Sequence, residues 1–94
     1  MSPLSQTRLL MPLLEAIRNL LGPGEHAAFR PAAHGAPCIV ARTERGSMIA
    51  SINEDGMYAF DTAGGLYTCD TDSKQDDICD VIRRALNDAR EEWA

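Results

Sequence analysis

The residues of this chain best suited to covalent chemistry are Cys38, Cys69, Cys79, His26 and His34. His34 and Cys38 fall in or beside one loop, which is the pairing a thiol–imidazole nucleophile requires. A working pair also needs a helix N-terminus or a cation to lower the thiol's pKa, and an acid to orient the imidazole. The residues around Cys38 supply neither, and a structural thiol beside a loop histidine accounts for the same pattern. The cysteines and histidines could also meet around zinc, but there is no CxxC pair and the spacings match neither a finger nor a ribbon. Asp70-Thr71-Asp72 opens like a calcium loop, yet the sixth position is Gln75 where glycine is needed and the twelfth is Val81 where glutamate is needed. The sequence contains no serine elbow, phosphate-cradling glycine loop or dinucleotide fingerprint. No catalytic residue, metal ligand or cofactor is assigned, and an enzyme is not the expected class.

The charge distribution carries more information. The chain of 94 residues has a formal net charge of −5. Residues 1–53 hold five arginines against three glutamates, while residues 54–94 hold eleven acids against four bases. Phosphate contacts need clustered basic side chains, so direct nucleic-acid binding is not expected. A basic protein partner fits better, and a nucleic-acid-binding protein would do, with carboxylates standing in for phosphates. The candidate contacts are Glu54, Asp55, Asp70, Asp72, Asp76, Asp77 and Asp80. The competing explanation is that these acids only keep a small domain soluble.

Composition bounds the rest. Hydrophobic residues make up 45% and charged residues 24%, as in an ordinary globular domain. An odd count of three cysteines is simplest as free thiols in a reducing compartment. No basic residue precedes Arg8, the first apolar run ends at Glu15, and no stretch reaches transmembrane length. The expectation is one cytoplasmic domain over residues 1–94, with no membrane contact.

The elements that would position these residues centre on 37–70, a run of antiparallel strands joined by glycine turns within a meander from about 26 to 70. Glu44-Arg45-Gly46 and Glu54-Asp55-Gly56 both have glycine third, as a three-residue hairpin loop with a bulge needs. With Glu54–Gly56 as the loop, Ile52 faces Tyr58 and Ala50 faces Phe60. With Glu44–Gly46 as the loop, Val40 faces Ala50 and Cys38 faces Ile52. A two-residue Gly64-Gly65 turn then sets Cys69 opposite Phe60. Because one face flips with each single-residue slip, these registers define one core face: Cys38, Val40, Met48, Ala50, Ile52, Tyr58, Phe60, Tyr67 and Cys69. A short strand over 26–30, ended by Pro31, could add a fifth member, and Pro31–Pro37 reads as a loop.

Helices flank the sheet. Ser2-Pro3 and Ser5 both look like places to start a helix. Leu10, Leu13, Leu14, Ile17, Leu20 and Leu21 recur at helical spacing, predicting a helix over about 5–21. It either kinks at Pro12 or begins its regular part there, and is stopped by left-handed Gly22 before Pro23. A second helix over about 74–92 follows Asp72 or Ser73 as cap, with Ile78, Val81, Ile82, Ala85, Leu86, Ala89 and Trp93 on one stripe. Asp76, Asp77 and Asp80 suit its N-terminal dipole, and Asp80 with Arg84 makes an i,i+4 pair. The fold class is α+β, an α-β(4-5)-α arrangement.

The second face of the sheet is unusual. Ile39, Ala41, Ile49, Met57, Ala59 and Leu66 alternate with the core set and are also apolar, whereas a solvated face should be polar. Either the helices cover opposite faces, or both lie on one face and the other is an interaction surface. The two-layer arrangement is the expected one, and it makes a homodimer by sheet stacking, or a foreign protein partner, the leading expectation. The function that follows is a small non-catalytic protein-binding module, an adaptor or inhibitor covering a basic surface. The alternative is a small-ligand sensor with a pocket between the sheet and the Pro31–Pro37 loop, lined by His34, Tyr58 and Trp93.

Overall fold

A computed structural model describes residues 2–32 and 35–91. The order is helix α1 (Pro3–Leu20), strands β1 (His26–Arg30), β2 (Cys38–Arg42), β3 (Ser47–Ile52), β4 (Tyr58–Thr62) and β5 (Gly65–Cys69), then helix α2 (Gln75–Glu91). The strands form one antiparallel sheet in sequential order β1-β2-β3-β4-β5. Both helices lie on the same side of it, α1 over β1 to β3 and α2 over β3 to β5, touching each other between. The protein is therefore an α+β, two-layer α-β5-α fold.

α1 starts earlier than its apolar stripe suggests. The Ser2 hydroxyl accepts the amide of Ser5 at 3.2 Å, and Pro3 occupies the first turn, where no intrahelical partner for its nitrogen is needed. Pro12 sits inside the helix on its exposed side, so the backbone bond it cannot make is left to solvent. Leu10, Leu13, Leu14 and Ile17 are buried. The stop also differs from expectation. Leu21 turns extended as the C-cap, and the left-handed residue is Gly24, at φ 80°, in the turn leading to β1, not Gly22. α2 begins at Gln75, later than an Asp72 or Ser73 cap would give, with the Lys74 carbonyl accepting the first helical bond from Ile78. Its stripe of Ile78, Ile82, Ala85, Leu86 and Ala89 is buried. Trp93 lies outside the described residues.

The three inner hairpins test the registers one by one. Across β3 and β4, Ile52 pairs with Tyr58 and Ala50 with Phe60, as the three-residue loop requires. Gly56 takes φ 78°, which only glycine adopts freely, and Asn53 Oδ1 accepts the amides of Asp55 and Met57 at 3.0 Å each. Across β4 and β5 the turn is Ala63-Gly64, so Cys69 pairs with Tyr58 and Tyr67 with Phe60. That shift of two leaves every side chain on its expected face.

β2 is the correction. Arg42 pairs with Ser47 and Ile39 with Ala50, so the β2–β3 turn has Glu44-Arg45 at its tip, not Glu44–Gly46. The cause is Thr43. Its hydroxyl accepts the amides of Arg45 and Gly46 at 3.2 and 3.0 Å, closing a tighter turn that needs no left-handed glycine. The one-residue difference turns β2 over. Ile39 and Ala41 are fully buried in the core, while Cys38 and Val40 are half-buried on the opposite face. The core side of the sheet is Ala27, Ile39, Ala41, Met48, Ala50, Ile52, Tyr58 and Phe60, with Phe29, Tyr67 and Cys69 packed at its margin.

Candidate interaction surfaces

The β3–β4 turn and the β5–α2 connection leave the sheet at the same end. Tyr58, the first residue of β4, pairs with both Ile52, the last of β3, and Cys69, the last of β5. Glu54 and Asp55 at the turn tip therefore share that end with Asp70, Asp72 and the first turns of α2, which carry Asp76, Asp77 and Asp80. All seven carboxylates are exposed. Among the described residues, Asp80 pairs with Arg83 at 3.0 Å, replacing the expected Asp80–Arg84 pair. Glu54, Asp55, Asp70, Asp72, Asp76 and Asp77 have no ion-pair partner among the described residues. Beside the turn lies an open cleft of about 430 Å³ lined by Gln6, Ala36 and residues 52–56. Gln6 Oε1 is buried, with no hydrogen-bond donor among the described residues.

The opposite end of the sheet is closed by charges that pair internally. Arg90 Nε and Nη2 donate to the two carboxylate oxygens of Glu25 at 2.9 and 2.8 Å, and Nη2 also donates to the Leu20 carbonyl at 3.1 Å. Glu25 accepts the Gly22 amide at 2.7 Å as well. These bonds, the one from Arg90 foremost, hold the Glu25 carboxyl below the usual carboxylate range and raise Arg90 further. Asp88 Oδ2 accepts the Tyr67 hydroxyl at 2.7 Å and the Thr62 hydroxyl at 3.2 Å. A Cβ on Gly64 would stand 2.8 Å from that same oxygen, so glycine admits the close approach of α2 to the turn. Thr43 does for its turn what Thr62 does here, its hydroxyl reaching the Ala89 carbonyl of α2 at 3.3 Å. Glu25, Asp88, Arg90 and the two threonines were not marked by the sequence as a group. The only local hint was the repeated Thr-x-x-Gly at 43–46 and 62–65.

The side of the sheet away from the helices is uncovered by any described element. One register row crosses all five strands there: Ala28, Val40, Ile49, Asp61 and Leu66. Ile49 is 43% and Leu66 63% exposed, and Ala59 lies in the same surface. Ile49 and Leu66 thus stand exposed on the open side as expected. Ala59 is on that side by register but buried, Met57 is half-buried in the adjoining turn, and Ile39 and Ala41 belong to the core and cannot be contacts. The face is basic along β1 and β2, where His26, Arg30 and Arg42 are exposed, and acidic on β4, where Asp61 is exposed.

The residues considered for chemistry are not brought together. Cys38 is half-buried on the open face and Cys69 on the core side at the sheet edge, where burial, then the nearby Asp70 charge, pushes its thiol pKa up, away from nucleophilic character. His34 lies outside the described residues, as does Trp93. Tyr58 is in the core, its hydroxyl donating to the Leu9 carbonyl at 2.9 Å, so that group is committed to the fold and not to a ligand. Among the described residues no three His, Cys, Asp or Glu side chains are grouped to hold a metal ion, and no helix is long and apolar enough to cross a membrane. The fold and surfaces define a class no narrower than a two-layer α-β5-α protein with one open sheet face and one acidic end. Compared with known proteins, the chain matches no family model, no curated protein and no solved structure.

Proposed function

We propose that this protein is a non-catalytic binding module that covers a basic surface of a protein partner with its acidic end. The observation that supports this most is the convergence of seven exposed carboxylates, from the 53–57 turn, the 70–74 connection and the first turns of α2, of which Asp80 alone is paired among the described residues. Exposed charges of one sign steer a partner of the other sign and set its orientation. The adjoining cleft suits a single cationic side chain, with Glu54 and Asp55 supplying charge at its rim. A nucleic-acid-binding protein is the natural kind of partner, because its phosphate-recognising lysines and arginines would meet carboxylates in place of phosphates.

The test is binding of basic proteins captured at low salt by the wild-type chain and by the Asp76→Asn/Asp77→Asn/Asp80→Asn variant. The wild type should retain a basic protein whose affinity falls steeply with ionic strength, and the variant should lose it. Equal affinity of the two chains, or binding insensitive to salt, would sink the proposal.

A further inference from the structure

The open face of the sheet has a pattern that its apolar character alone does not explain: it is charge-complementary to itself. Its basic groups, Arg30 and Arg42, lie on β1 and β2, and its acidic one, Asp61, lies on β4. β3 runs between the two halves. We infer that a second copy of this chain covers this face, the two sheets stacking about a two-fold axis that runs along β3.

Two kinds of two-fold axis can bring the faces together, and charge chooses between them. An axis across the strands sets β1 against β1 and β4 against β4, which opposes arginine to arginine and Asp61 to Asp61. An axis along β3 sets β1 of one copy over β5 of the other and β2 over β4. Ile49 then meets its own copy at the centre, and Leu66 covers Ala28, the smallest residue in the row. Arg42 lies one residue pair along its strand from the facing Asp61. That offset is about 7 Å, within an extended arginine's reach. Aligned stacking of twisted sheets at about 30° and about 10 Å separation has this symmetry. Five strands of about five residues present roughly 24 by 17 Å, so two copies cover about 800 Å² of flat footprint before side-chain relief is counted. A specific interface clears roughly 1,000 Å², so the relief of Ile49, Leu66 and the arginines must supply the remainder.

The pairing does not depend on the acidic end being a binding surface, but it has a consequence for it. An axis along the strands keeps both copies' 53–57 turns and 70–74 connections at the same end of the dimer. The two carboxylate clusters would then stand side by side, a repulsion that the Arg42–Asp61 contacts and the apolar row must outweigh and that added salt relieves.

Sedimentation velocity over a range of concentration tests this on the whole chain. The wild type should run as a dimer and Ile49→Asp as a monomer with an unchanged circular dichroism spectrum. Met11→Asp, on the exposed side of α1, should remain dimeric. Arg42→Asp should weaken association roughly tenfold, and adding Asp61→Arg should restore it. A wild type that is monomeric at every concentration overturns the inference, as does a dimer that survives Ile49→Asp. A charge exchange that fails to restore association overturns the axis along β3.

Discussion

The two ends of the sheet use the same kind of side chain in opposite ways. At the end where both helices finish, Glu25 and Asp88 are consumed by the fold: one is clasped by Arg90 and the Gly22 amide, the other by Tyr67 and Thr62. At the end where α2 begins, six of seven carboxylates have no cation partner among the described residues. The turns differ in the same sense. Thr43 and Thr62 close their turns and also bond to α2, whereas Asn53 and Gly56 close theirs without touching either helix through a hydrogen bond. The fold would lose stability if the first set of acids were removed. Of the second set it uses Asp76 and Asp77 at the start of α2, where they suit the helix dipole, and Asp80, which pairs with Arg83. It makes no structural bond with the Glu54 or Asp55 side chains among the described residues. Glu54 and Asp55 are therefore the carboxylates with the least structural role to set against a partner.

The largest effect expected from this contrast is at Glu25. Glu25→Ala strips Arg90 of a two-pronged partner and leaves the Gly22 amide unbonded, in a site where the glutamate side chain is only 13% exposed. The cost should be about 2 kcal/mol, read as a fall in urea midpoint at constant slope. The acid dependence follows from the lowered carboxyl pKa. Above the unfolded value of about 4.5 the contribution is fully present, and it is lost as pH falls through the lower folded value. Glu25→Gln should therefore flatten the acid limb of the stability profile below that point, and an unchanged limb would show that the closed end is not held by this charge.

A smaller effect, about 1 kcal/mol, is expected for Gly56→Ala, because alanine must be forced into φ 78°. Gly46→Ala should escape that penalty, since Gly46 has no positive φ. Urea unfolding of both variants separates the glycine-held turn of the open end from the threonine-held turn of the closed one; equal losses would erase the distinction.

How much of this could be read from the sequence turns on the same residues. The β3–β4 hairpin was legible because Gly56 and the alternation of Ile52, Tyr58 and Phe60 agreed on one register. β2 was not, because Cys38, Ile39, Val40 and Ala41 are all apolar, so either face would serve as core and side-chain pattern could not arbitrate. The decision fell to the Thr43 hydroxyl, whose bonds to the turn amides only a folded backbone displays. The acidic end was visible because its members cluster along the chain. The closed end was hidden because Arg90 and Glu25 lie 65 residues apart, and Asp88 and Tyr67 lie 21 apart. Long-range polar pairs leave no periodic signature, and both acids looked like ordinary surface charge.

The smallest expected change is the one that bears most directly on function. Glu54→Gln with Asp55→Asn removes two exposed negative charges from a turn whose backbone is held by Asn53 and Gly56, so no bond of the fold is lost. What is removed is repulsion among neighbouring carboxylates on a chain of net charge −5. Stability should stay within about 0.5 kcal/mol and move, if at all, upward. Added salt should shrink the difference between variant and wild type, since exposed charges are screened over about 10 Å at moderate ionic strength. A loss near that of Glu25→Ala would mean that the open end is stitched into the fold just as the closed end is, and the case for a partner there would fall with it. A small gain would leave these acids with an electrostatic cost and no structural return, and a cost the fold does not need is what a binding surface predicts.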